Sequence, residues 1–192
     1  MAETLPFAVN KKVLTPALDT FLDHAPVGLR HATKQATFRI VAAMAQALRQ
    51  AFITRGCTEI FTPKLVAGAT EGGANLFPVS YFDREAFLAQ SPQLYKETMV
   101  GVFERVFEIA PVFRAEPHAT TRHLNEYVSV DVEIGFIDNH RTVMTFLQSS
   151  LAAAFAAAFA ALAEAHAADL ATLGVTVPVV GEIPAIHFRD AL

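Results

Sequence analysis

Between Val106 and Phe136 the chain changes polarity at every second residue. Phe107, Ile109, Pro111 and Phe113 alternate with Glu108, Ala110, Val112 and Arg114. After a polar loop, Pro117–Glu126, the residues Val128, Val130, Val132 and Ile134 alternate with Tyr127, Ser129, Asp131 and Glu133. A period of two predicts two strands with one apolar face and one charged face. The apolar face is expected to carry helices. Elsewhere the spacing lengthens to three and four. Phe38, Val41, Ala42, Ala45, Leu48 and Phe52 predict a helix capped by Thr33, running to about Arg55 and stopped by Gly56. Val143, Phe146, Leu147, Leu151, Phe155, Phe159 and Leu162 predict one long helix over His140–Leu173, with His166 exposed near its end and Gly174 closing it.

Shorter signals fill the intervals. Thr58–Thr62 reads as a strand ended by Pro63, Phe87–Gln90 as another, and Val175–Val180 as an edge strand. Ser91 and Pro92 form a helix start, which puts Gln93 and Lys96 on one helical face. Residues 1–32 are broken by Pro6, Pro16 and Pro26 and read as a linker with one helical turn near Asp19–Asp23. Ala67–Ala74 is a loop of small residues expected to be mobile, with Glu71 its only charge.

Composition narrows the picture. The 192 residues suit one domain. A hydrophobic content of 53% is high for a soluble domain of this size, so part of it is expected to face a partner. A net charge of −4 gives no overall basic field. Any RNA contact must rest on a local patch, and DNA is not an expected partner. The single cysteine, Cys57, excludes an internal disulfide and suits a reducing cytoplasm. No secretory signal opens the chain. The apolar run Leu151–Ala163, ended by Glu164 and His166, is too short for a bilayer span, so no membrane is expected.

The charged hairpin face concentrates the candidate chemistry. Arg114, Tyr127, Asp131 and Glu133 share it, with Glu116 close by and His118, Arg122 and His123 on the loop. Burying such a face costs free energy unless it is solvated, paired or bound to a ligand. It forms a wall suited to an anionic, aromatic ligand such as a nucleotide. The alternative is a solvated outer face with ordinary ion pairs. The two loop histidines lack a third histidine or a cysteine nearby, so no metal site is expected.

Four segments, in order, carry a family resemblance. FRAEPHATTRHLNEY followed by SVDVE resembles motif 2 (about 106–134) of class II aminoacyl-tRNA synthetases, closest to the aspartyl enzyme of archaeal type and its asparaginyl relatives. FITRGCTEIFTPKL, residues 52–65, resembles motif 1, with Pro63 as its proline. GATEGGANLFPVSYF resembles the mobile loop that closes over the amino acid, and AQSPQLYKE the amino-acid pocket. The implied fold class is α/β (α+β): a mixed, mainly antiparallel sheet flanked by helices, incomplete at its C-terminal end. The implied division is a linker over 1–32 and a partial catalytic domain over 33–192.

The resemblance also implies roles. Arg114 would contact the α-phosphate of ATP and act as the catalytic cation. Glu116 would meet the adenine amino group and Tyr127 stack on its ring. His118, Arg122 and His123 would reach the outer phosphates or the tRNA acceptor end. Gln93 and Lys96 would hold the aspartate side chain, while Glu71 and Asp131 would meet its ammonium. The helix over 33–55 and the strand after it would form a homodimer interface. Magnesium accompanies ATP in the family, but its usual ligands, a third motif and the anticodon-binding barrel do not occur in the sequence. Turnover by this chain alone is therefore expected to be low. Three alternatives stay open: a non-catalytic binding or regulatory module, an asparaginyl relative, and a ligase that adenylates for another acceptor.

Overall fold

The computed structural model describes residues 4–70, 75–118, 120, 122–176 and 183–191. Glu71 and most of the expected edge strand Val175–Val180 lie outside the described residues. The chain forms two compact units, one from residues 49–150 and one from 1–48 with 151–192.

The first unit holds the strands. The expected hairpin is β5 (Arg105–Phe113) and β6 (Glu126–Ile134), antiparallel along their whole length. β1 (Thr58–Glu59) joins β5 in parallel, giving the order β1-β5-β6. A second antiparallel sheet runs β2-β4-β3, from β2 (Leu65–Val66), β3 (Pro78–Tyr81) and β4 (Arg84–Leu88). The alternation missed β2 and β3, which are too short to show a period. β1 is also shorter than Thr58–Thr62. At Thr62 the backbone N–H donates to the Glu108 carboxylate at 2.7 Å instead of to a ladder carbonyl. The Ala89 N–H donates to the Lys64 carbonyl and so continues the β2–β4 pairing, and the Phe113 N–H of β5 donates to the Ala89 carbonyl and so links the two sheets.

Helix α3 (Ala32–Thr54) follows the short α1 (Leu18–Asp23) and α2 (Ala25–Gly28), where a single turn was expected. Its start differs from expectation. The Thr33 N–H donates to the His31 ring Nδ1 at 3.3 Å, so His31 rather than Thr33 serves the first turn. Gly56, at φ +77°, turns the chain out of the helix as expected. Phe52 packs on Phe107 with ring centroids 5.2 Å apart, and both are buried. The rest of the apolar hairpin face is less covered than expected, with Val128 64% exposed.

The long helix expected over His140–Leu173 is two helices, α5 (His140–Ala165) and α6 (Ala167–Leu173). The break is at His166, which is half-buried rather than exposed. Its Nδ1 lies 3.0 Å from Asp169 Oδ2, and Asp169 also accepts from Arg39 Nε at 2.8 Å. A side chain turned inward onto a buried carboxylate stops the regular helix there. Gly174 ends α6 in the left-handed region. α5 also corrects the length argument against a membrane span. Its 26 residues, with a mean hydropathy of 1.7 over the most apolar window, are long and apolar enough to cross a bilayer by length and composition.

Candidate functional site

The register of the hairpin decides which side chains meet. Glu108 lies opposite Asp131, Val106 opposite Glu133 and Val112 opposite Tyr127. Directly paired residues point to the same side. Glu108, Tyr127, Asp131 and Glu133 therefore share one face, as the alternation predicted. Arg114 follows the last β5 residue and is held by its N–H bond to the Asn125 carbonyl at 2.9 Å.

At the loop end of that face is a cavity of about 320 Å³ lined by Arg114, Glu116, Arg122, His123, Leu124 and Tyr127. These are five of the six nucleotide candidates, with Leu124 added. His118 stands outside the lining and packs its ring on His123 at 4.9 Å. His123 Nδ1 is also 2.7 Å from Thr120 Oγ1, and its Nε2 is 3.9 Å from Glu116. The cavity thus joins two guanidinium groups, an aromatic ring and a carboxylate acceptor.

Four residues along β6, α4 (Gln93–Phe103) delivers Lys96 to the same face. Its start is built by Ser91, whose hydroxyl accepts from the Gln93 N–H at 3.2 Å, with Pro92 at the cap. Lys96 is buried, with only 6% of its surface exposed. Its Nζ is 3.1 Å from Asp131 and 3.5 Å from Glu133. A lysine in the first turn sits at the unfavourable end of the helix dipole, and the two carboxylates offset that cost. Gln93 points elsewhere: its amide donates to Glu97 at 2.7 Å. Lys96, Asp131 and Glu133 line a cavity of about 420 Å³ walled by Val130, Val132, Phe146 and Leu147 among others. The strand rise puts Tyr127 and Asp131 about 13 Å apart.

The sequence reading missed two partners. Glu133 was placed on the right face but not with Lys96. Glu108 was not singled out, yet it is buried and accepts from the Thr62 N–H, the Thr62 hydroxyl and Lys64 Nζ, the last at 2.7 Å. Its parity with Arg114 was the available signal. For magnesium, the described residues contain no group of three His, Cys, Asp or Glu side chains placed to ligate. Asp131 and Glu133 are committed to Lys96. Among the described residues the side chains do not fit a protein-held magnesium ion.

The family model for class II tRNA synthetases (D, K and N) matches residues 18–192. The chain belongs to that family. It is 46% identical over 190 residues to the aspartate–tRNA(Asp/Asn) ligase of Deinococcus radiodurans, covering 98% of this chain and 43% of that protein. It is 53% identical over 146 residues to the aspartate–tRNA(Asp/Asn) ligase of Archaeoglobus fulgidus, covering 75% of this chain and 33% of that protein. The chain therefore spans less than half the length of these relatives. Among solved structures it is similar to asparaginyl-tRNA synthetase from Pyrococcus horikoshii complexed with asparaginyl-adenylate. The TM-score is 0.73 at 30% identity, covering 81% of this chain and 35% of that one. The class II synthetase fold expected from the motifs is thus the observed one, as an aspartyl-tRNA synthetase-like core.

Proposed function

We propose that this synthetase core binds ATP and aspartate, and contributes to forming aspartyl-adenylate and passing the aspartyl group to a tRNA. One observation carries the reading: a buried Lys96–Asp131 pair and an arginine-lined cavity occupy one face of the same strand. The pair suits a ligand bearing both an ammonium and a carboxylate. Free aspartate can replace it by exchange, its side-chain carboxylate going to Lys96 and its ammonium to Asp131. Asparagine offers no second carboxylate, so it cannot satisfy Lys96 in this way. Glu71 is assigned to the ammonium and Gln93 to the ligand side chain by family resemblance. For Gln93 this requires release from Glu97.

ATP is assigned to the neighbouring cavity, with adenine on Tyr127, its amino group at Glu116 and its α-phosphate on Arg114. Arg122, His123 and His118 lie towards the outer phosphates or the tRNA end. In the reaction the aspartate α-carboxylate oxygen attacks the α-phosphorus. A new O–P bond forms, and the bond to the bridging oxygen breaks as pyrophosphate leaves. This needs alignment and neutralised charge rather than a dedicated base. The fixed fork of a guanidinium supplies both at Arg114.

Assembly is read as a homodimer through α3, whose Phe38 and Val41 are 63% and 60% exposed. The helix α5 is assigned to the synthetase domain rather than to a membrane, because the family match runs through it. The location proposed is cytoplasmic. The deciding experiment is calorimetric titration with aspartate and asparagine. Tighter aspartate binding, with the preference lost in Lys96→Met, supports the reading, and equal binding of both by the parent chain overturns it.

A further inference from the structure

Glu108 stands beside the Lys96–Asp131 pair, yet neither it nor Lys64 lines either of the two cavities on the hairpin face. Its side chain is buried, and three donors fix the carboxylate. They are the Thr62 N–H at 2.7 Å, the Thr62 hydroxyl at 2.8 Å and Lys64 Nζ at 2.7 Å. The register sets Glu108 directly opposite Asp131. Side chains so opposed have Cβ atoms about 4.5–5.5 Å apart, and like charges there repel. The neighbouring cations are placed elsewhere. Lys64 meets Glu108, while Lys96 is shared between Asp131 at 3.1 Å and Glu133 at 3.5 Å. Among the described residues no lysine bridges Glu108 to Asp131. This row sets three carboxylates against two ammonium groups, so it carries an excess negative charge.

A cation arriving at Asp131 therefore meets the field of two carboxylates rather than one. The effect grows once a ligand carboxylate has drawn Lys96 away, as the exchange described above requires. Asp131 and Glu108 then oppose each other across the strands, and a ligand ammonium is the charge that relieves them. Lys64 works in the opposite sense, because its positive charge offsets that of Glu108. We propose that Glu108 and Lys64 are positioning residues that set the preference of this site for an α-amino acid over the dicarboxylate lacking the amino group. Glu108 acts through Asp131 and strengthens its hold on the ammonium, and Lys64 limits that hold. The proposal rests on the reading that aspartate binds between Lys96 and Asp131.

The test is calorimetric titration with aspartate and with succinate, which keeps both carboxylates and has no ammonium. The proteins are the full chain, Glu108→Gln, Lys64→Met and the double variant, each titrated at a temperature where circular dichroism shows it folded. A unit charge about 7 Å from the ammonium, at an effective dielectric constant of about 20, corresponds to about 50-fold in affinity. Water at the partly exposed Lys64 screens some of this, so Glu108→Gln should weaken aspartate binding about 10-fold or more. Succinate binding should not weaken in that variant. Lys64→Met should move aspartate affinity the other way, and the double variant should return towards the parent. A brace without an electrostatic role gives a different pattern, in which both single variants weaken both ligands alike. That pattern overturns the proposal, as does aspartate affinity in Glu108→Gln within about twofold of the parent. If the parent prefers aspartate to asparagine while Glu108→Gln binds aspartate equally well, this proposal falls and the proposed function stands. If the parent binds no aspartate, the proposed function falls and takes this proposal with it.

Discussion

Replacing Lys96 by methionine separates the fold from the chemistry in one experiment. Methionine keeps the length and the packing of the stem but removes the charge. Lys96 is 7% exposed at its side chain, and its Nζ lies 3.1 Å from Asp131 and 3.5 Å from Glu133. Removing one partner of a buried pair typically costs about 3–5 kcal/mol, because a charge is stranded. Here the stranded carboxylates are 17% and 29% exposed, so water relieves part of the cost. An expected loss of about 2–3 kcal/mol follows, measured by urea unfolding with an unchanged m-value. For a chain of this size that is a fall in Tm of about 4–12 °C. Adding Asp131→Asn should recover about 1 kcal/mol, since one stranded charge is removed. In the same variant the preference for aspartate over asparagine should vanish. A loss below about 0.5 kcal/mol, or no recovery with Asp131→Asn, would refute the idea that Lys96 is held by these carboxylates.

Other residues give independent tests. Glu108→Gln removes the charge that Lys64 and Thr62 converge on and should cost about 2–3 kcal/mol in urea unfolding, whereas a cost near zero would dismiss Glu108 as a brace. Asp169 is held well below the usual carboxylate range, first by the Arg39 side chain and then by His166. A depressed carboxylate stabilises the fold above its unfolded pKa, near about 4, and that stabilisation fades as pH falls below it. The parent should therefore lose stability relative to Asp169→Asn on acidification below about pH 4, and parallel pH profiles would rule the clamp out. Phe38→Asp/Val41→Asp should turn a dimer into a monomer in light scattering, and a monomeric parent at tens of micromolar would end the dimer proposal.

Much of this was legible because period and parity are strong signals where elements are long. The alternation over residues 107–113 and 127–134 predicted β5 and β6, and with them the face shared by Tyr127, Asp131 and Glu133. The stripe from Phe38 to Phe52 predicted α3 almost to its ends. Elements of two to four residues, such as β2 and β3, carry too little pattern to be read. The break at His166 was hidden because alanine favours helix on both sides of it. Its cause is a contact with Asp169, which is held in turn by Arg39 at a sequence separation of 130. The same limit applied at the site. Parity placed Glu133 and Glu108 on the charged face, but only tertiary packing brought Lys96 to one and Lys64 to the other.

The proposed function requires the hairpin face to hold ATP, with Arg114 on its phosphate. Calorimetric titration of ATP into the 192-residue chain and into Arg114→Ala tests it most directly. Charged hydrogen bonds of this kind contribute about 1.5–3 kcal/mol, so the variant should bind about 10- to 100-fold more weakly. Weak but saturable binding by the parent, reduced to that extent by Arg114→Ala, is the predicted result. Equal ATP affinity in the two proteins, or no binding by the parent at millimolar nucleotide, would contradict the account.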